Sequence, residues 1–302
     1  MNYSKSRRRS IIVNTNNIVN TNTNAIVTEA YYLSHNGLGD LIISTSAVRF
    51  LLKFYNRVHL LCSHIHHEQM KLILIDEPRI ILIPVKMNAE NIIFENCYNV
   101  LKYAFPICDM YICGGFTKLF LSTIRNEYIN AYVPNNELYN LRYDTITDEN
   151  SKFIYEYYNT INLDLRIYYE YFNIPSVTQS RELYDLVKDY KRVIFTQIRC
   201  SSNIKLNIDG VKSKYMKDDD AIILCNDENI YDEATNPTKY NICQRFIKNN
   251  IAWYIDTILN CNEIYIIDSC FIAIVLPLVK TNRLKADIVR IIRRDLVNEI
   301  LL

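Results

Sequence analysis

From about residue 25 the chain alternates twice between short, β-branched apolar runs and longer stretches with helical spacing, and this alternation limits the possible folds most. In the first set, strands are expected at 25–34, 58–62, 80–85 and 110–113, with helices at 41–55, about 65–75 and about 89–104. A long aromatic-rich helix is expected over 150–172, ended by Pro175. The second set starts near Lys191, with strands at 193–198, 221–225 and 264–267 and helices at about 240–260 and 270–279. Successive strands joined by helices form βαβ units and parallel sheets. The expected fold class is therefore α/β, two Rossmann-like domains facing a cleft, the first over 25–180 and the second over 181–302. Ligands of such sheets bind beyond the C-terminal ends of the strands, so both domains can present loops to one cleft.

The 24 residues before this pattern combine Arg7-Arg8-Arg9 with an Asn/Thr-rich run, and they read as a disordered, solvated tail. A net charge of +1 supplies no field that would draw the protein to nucleic acid or an anionic membrane. Residues 11–13 are too short for the apolar part of a signal peptide, and no run of 18 apolar residues exists to span a membrane. The nine cysteines form no CxxC pair and are odd in number, so they read as free buried thiols of a reducing compartment.

Glycine is scarce, and four of the five fall in two pairs, Gly37/Gly39 and Gly114/Gly115, each just after an expected strand. Glycine is needed where the backbone turns with positive φ or where a ligand approaches closely, so these pairs mark the places to look for a site. In Gly37-Leu38-Gly39-Asp40 the third position of a dinucleotide fingerprint is Ile42, and an acid stands at the helix start. A diphosphate would want the positive end of that helix, which Asp40 already occupies, so dinucleotide binding is not expected there. Spacing leaves two roles open for Asp40: an N-cap, or a carboxylate that accepts a proton from an attacking hydroxyl.

The run Asn36-Gly37-Leu38-Gly39-Asp40-Leu41-Ile42, followed by Ala47-Val48-Arg49-Phe50-Leu51 and Tyr55-Asn56-Arg57-Val58, resembles the N-terminal motif of the heptosyltransferases, glycosyltransferase family 9. It is more similar still to uncharacterised glycosyltransferase-like proteins of giant viruses, whose Asn-, Ile-, Lys- and Tyr-rich composition this chain shares. The resemblance implies a GT-B fold, a metal-independent reaction, a nucleotide-sugar donor as substrate with no cofactor, and Asp40 as catalytic base on a sugar or glycan acceptor. It puts Asn36, Gly37, Leu38 and Gly39 on the acceptor side. A second stretch, from Asn262 to Phe271 and including Asp268, Ser269 and Cys270, resembles the family's strand–turn–helix that holds the donor diphosphate and ribose. The family usually has a histidine a few residues on, where this chain has Ala273. A third stretch, Val193-Ile194-Phe195-Thr196-Gln197 followed by Ser201, Ser202 and Lys205, resembles the first strand and loop of the donor domain, where hydroxyls and a lysine meet phosphate.

The expected function is thus sugar transfer from a nucleotide-sugar to an acceptor hydroxyl. A nucleotide-sugar epimerase on the same architecture and a catalytically inactive GT-B-like binding protein are the alternatives. An epimerase would need acids and a histidine deep in the cleft, and all five histidines precede residue 68. His64, His66 and His67 read as the surface of a helix start, since no acid stands at metal-ligand spacing from them. Asn226-Asp227-Glu228-Asn229 is either a polar turn or a contact to a ribose or base, and Cys113-Gly114-Gly115 is either a tight turn or a cleft wall. The aromatics of 153–172 are expected in the core rather than as a sugar platform, and Arg293-Arg294 as a charge pair on a helix face. The expected location is cytoplasmic, or a host cytoplasm or virion if the chain is viral; oligomeric state is left open.

Overall fold

A computed structural model of the chain describes residues 29–34, 37–86, 109–113, 149–201 and 204–293. The expected tail, the expected helix at 89–104, the pair Gly114/Gly115, Asn36 and Ser202 lie outside the described residues.

Two four-stranded parallel sheets carry the architecture. The first holds β1 (Glu29–Leu33), β2 (Arg57–Ser63), β3 (Ile80–Val85) and β4 (Asp109–Ile112) in the order β3-β2-β1-β4. The second holds β5 (Arg192–Gln197), β6 (Ala221–Cys225), β7 (Glu263–Ile267) and β8 (Ile288–Ile292) in the order β6-β5-β7-β8. Every residue of β6 and β7 is buried, as expected for parallel strands covered on both faces. Each sheet reverses its winding once, between β1 and β4 and between β5 and β7, and α/β sheets bind ligands at such switch points.

The first half adds α1 (Leu38–Leu51) and α2 (His67–Ile73), followed by α3 (Glu149–Asn159), α4 (Leu165–Glu170) and α5 (Thr178–Asp185). The second half adds α6 (Asp209–Tyr215), α7 (Pro237–Gln244), a 3-10 turn (Ile251–Tyr254), α8 (Ile255–Asn260) and α9 (Ile272–Lys280). The single helix expected over 150–172 is two, because Asn162 takes a left-handed φ of 54° and the Asp164 side chain then caps α4 by accepting from the Arg166 N–H. The helix expected over 240–260 breaks in the same way at Lys248, φ 54°, before Asn250 caps the 3-10 turn. α5, α6 and β8 were not expected, and Arg293 follows a strand rather than standing on a helix. The expected boundary at 180/181 falls inside α5, which packs against α8 and the 3-10 turn of the second half.

The halves meet where α1 and α4 pack on α9. α9 has seven buried residues in the run Ile272–Leu278, so it is apolar nearly all round and suited to a position between layers. Pro277 lies inside it and has no N–H, which leaves the carbonyl of Ala273, four residues earlier, without its helical donor. The Tyr168 hydroxyl on α4 supplies that donor at 2.8 Å. The Tyr168 carbonyl in turn accepts from Ser46 Oγ on α1 at 2.9 Å. One residue therefore joins three helices from both halves. Replacing Tyr168 with Phe would leave a buried carbonyl unsatisfied. We expect a loss of about 1–3 kcal/mol, measured as a lower urea midpoint with an unchanged slope.

Candidate functional site

The loops after β1, β5, β6 and β7 surround one cleft of about 880 Å³. It brings together Gly37, Leu38, Gly39 and Asp40 from the first half with Gln197, Ser201, Asp268, Ser269 and Cys270 from the second. The loops that follow β1, β5 and β7, at the two switch points, open into it.

Asp40 is not an N-cap. Gly37 occupies that position, with φ −66° and ψ 149°, and the helix begins with Leu41 N–H donating to the Gly37 carbonyl at 3.0 Å. Asp40 is the third helical residue, where the partial positive charge of the helix end stabilises a carboxylate. Neither glycine takes a positive φ. A Cβ on Gly37 would lie 2.8 Å from Asp40 Oδ2, so Gly37 makes room for the carboxylate itself. A Cβ on Gly39 would lie 3.3 Å from the Cα of Cys270, so Gly39 lets the two helix starts approach across the cleft floor.

On the opposite wall, Gln197 is 3% exposed and clamps the turn that opens α9. Its Oε1 accepts from Ser269 Oγ at 2.7 Å, and its Nε2 donates to the Arg199 carbonyl. Ser269 Oγ also accepts from the Phe271 N–H at 3.2 Å. The Ser269 proton is thus committed to the clamp, and the opening of α9 itself, from Ser269 to Ile272, forms the cleft wall. That wall delivers the positive end of a helix to whatever the cleft holds. Burial pushes the Cys270 thiol up to about 12, so it is a neutral wall group rather than a nucleophile.

Lys205 stands elsewhere. It lines a separate recess of about 260 Å³ and its ammonium is 2.8 Å from Glu228 Oε1. Among the described residues, the Lys or Arg on the cleft wall is Arg199, whose guanidinium meets the other oxygen of Glu228 at 3.0 Å. Sequence reasoning missed it, although its place two residues beyond the end of β5 was a usable signal. Asp227, read as part of a polar turn, holds the Arg199 loop by accepting from the N–H groups of Ile198 at 2.8 Å and Arg199 at 2.9 Å. Burial raises its carboxyl, against the pull of those two N–H groups.

Two further polar groups line the cleft. His66 precedes α2, and burial lowers its imidazole below the ordinary value, which favours the neutral form. His66 Nδ1 and Asn226 Oδ1 are buried without a hydrogen-bond partner among the described residues. A position early in the chain therefore does not keep a histidine out of the cleft. Ala273 is 2% exposed, and its carbonyl is the one that Tyr168 satisfies. Among the described residues, no three His, Cys, Asp or Glu side chains are grouped as a metal site would require. Nor is any helix among them long and apolar enough to cross a membrane.

The fold is similar to the solved structure of E. coli ADP-heptose lps heptosyltransferase II, with a TM-score of 0.50 and 10% identity over 90% of this chain and 95% of that one. The architecture is of the GT-B kind. At this identity the likeness is one of fold. No protein-family model matches the chain, and no curated protein matches it.

Gly39 gives a direct test of the cleft floor. Alanine is the better helix former by about 1 kcal/mol, so Gly39→Ala in an unconstrained helix would stabilise. Here the new methyl group meets the Cys270 backbone, and we expect a lower Tm instead.

Proposed function

We propose that the protein is a glycosyltransferase that moves a sugar from a nucleotide-sugar to an acceptor hydroxyl, without a metal. The observation that carries this reading is the pairing across one cleft of the Asp40 carboxylate with the opening turn of α9. The acceptor oxygen attacks the anomeric carbon as its proton passes to Asp40, and the bond from that carbon to the diphosphate breaks with its electron pair leaving on phosphate. The α9 terminus and Arg199 stabilise the charge that develops on the leaving diphosphate. Asn226, with its unpartnered Oδ1, suits a donor group on the nucleoside. In this reading the boundary between acceptor and donor domains lies just before α5, the acceptor-side residues are Gly37 to Asp40, and the donor contacts come from 197–201, 226 and 268–272.

His66 on the same cleft also favours a second reading, a nucleotide-sugar epimerase, because it puts an imidazole on a cleft that carboxylates line as well. Conversion of a nucleotide-sugar with no acceptor present would select the epimerase. A nucleotide-sugar bound and never consumed would select an inactive binding protein.

Asp40→Asn keeps the size of the side chain and removes the basic oxygen. Turnover is expected to fall by about 10²–10⁴ while nucleotide Kd stays close to that of the wild type. Normal turnover in this variant would remove Asp40 from the chemistry. For the donor side, Arg199→Ala is expected to weaken nucleoside-diphosphate binding about tenfold, a loss of ~1.4 kcal/mol. Lys205→Ala, outside the cleft, should change it little. The opposite ranking, read by calorimetry, would return the phosphate contact to Lys205.

A further inference from the structure

Arg199 is fixed at its base and movable at its tip. Its N–H donates to Asp227 Oδ2 at 2.9 Å and its carbonyl accepts from Gln197 Nε2, so the backbone is held from two sides. Its side chain is 52% exposed and lines the cleft. The guanidinium meets Glu228 Oε2 through Nη2 at 3.0 Å. Glu228 is itself shared, because its Oε1 accepts from the Lys205 ammonium at 2.8 Å. Glu228 and Lys205 both line the smaller recess, so this one carboxylate links the two cavities. The hydrogen bonds from Lys205 and Arg199 hold its carboxyl below the ordinary range, which keeps it charged.

We propose that Glu228 is a built-in stand-in for the ligand's phosphate: it holds the Arg199 guanidinium until a diphosphate enters the cleft, and the diphosphate then takes the guanidinium from it. The inference rests on the reading of Arg199 as a contact of the donor diphosphate. Both anions compete for one cation, and a diphosphate brings more charge and more acceptor oxygens than a single carboxylate. The movement required is a side-chain rotation, since Asp227 and Gln197 hold the backbone. The exchange strands no charge. Glu228 keeps Lys205 when Arg199 leaves, and at 31% exposure it also keeps water. Water can cover the Lys205 side as well, which is why Lys205→Ala is still expected to change affinity little. A pair between two partly exposed groups is weak, so Glu228 lowers affinity by a small factor and does not block the site. The same competition helps the product leave, because Glu228 recaptures Arg199 as the diphosphate departs.

Calorimetry on the full chain tests this with ADP, GDP, UDP and CDP, and with inorganic pyrophosphate as a probe that lacks a base. Glu228→Gln keeps the size of the side chain and removes its charge. It is expected to tighten the probes that bind by about twofold to fivefold, the range of a partly exposed ion pair. In an Arg199→Ala background the same change is expected to have no effect, because no guanidinium is left to release. Glu228→Ala repeats the comparison without an amide oxygen that Arg199 could still meet, and thermal melts check that each variant is folded. Weaker or unchanged binding in both Glu228 variants would make Glu228 an anchor or a bystander and overturn the exchange. Tightening that persists without Arg199 would be a general effect of removing a negative charge, and would overturn it too. Arg199→Ala alone keeps the two ideas apart. If it weakens binding and the Glu228 variants do not tighten it, the exchange falls and the donor contact stands. If it changes nothing, or if none of the five probes binds, both fall. Tightening that depends on Arg199 in a protein that moves no sugar upholds the exchange and defeats the transferase reading.

Discussion

A proline inside a helix usually costs stability, because it removes one N–H and leaves one carbonyl bare. In this protein the bare carbonyl of Ala273 becomes the point where the two halves lock, since the Tyr168 hydroxyl fills it from the other side. The Tyr168 carbonyl also takes the Ser46 proton, so α1, α4 and α9 are fixed relative to one another around one buried side chain. The rest of the cleft depends on that arrangement. α1 can bring Asp40 to the floor because Gly39 tolerates the Cys270 backbone beside it, and the opening turn of α9 can form the far wall because its helix is held in place below. A larger residue at 273 would have to be accommodated in this packed seam, which gives a structural reason for an alanine there.

Not every acid near this architecture is placed for chemistry. Glu263, at the start of β7 away from the cleft, is fully buried and accepts from the Tyr215 and Tyr265 hydroxyls and from Arg192 at 2.6 Å. Burial alone would raise its carboxyl, yet those donors hold it below the ordinary range, so it is a satisfied structural charge. Asp227 is bound to the N–H groups of its own loop, and Glu228 lies between Arg199 and Lys205. Asp40 differs in where its carboxylate lies: at a cleft, on a helix terminus, with the neighbouring Cβ deleted to accommodate it.

Much of this was legible in the sequence, for identifiable reasons. Buried parallel strands must be continuous apolar runs, so 221–225 was read to the residue, and seven of the eight strands were located. β8 was missed because Ile288–Ile292 carries Arg290 and ends beside a basic pair, which resembles a charged helix face. The two over-long helices failed at Asn162 and Lys248, single residues in the left-handed region. Asparagine is so common here that it carries little warning, and lysine carries none. Motif reading found the two walls of the cleft, but Lys205 was preferred to Arg199 because a loop can turn back on itself. The bridge between Arg199 and Lys205 sends the two side chains to Glu228 from different recesses, and spacing along the chain does not contain that fold-back.

The two helix starts on the cleft floor have the same polarity and opposite occupancy, and that difference gives the site a direction. Each terminus carries a partial positive charge that one anion can satisfy. At α1 the protein fills it with Asp40, in the first turn of a 14-residue helix. At α9 the first turn carries no acid, and Ser269 at its opening is neutral and turned toward Gln197, while Asp268, one residue earlier, also lines the cleft. A ligand with an anionic end and a neutral end therefore gains by pointing its anion at α9 and loses by pointing it at α1, where it would meet a carboxylate. In the proposed transfer, the bond to be broken would lie between the two termini, with Asp40 on one side and the opening of α9 on the other.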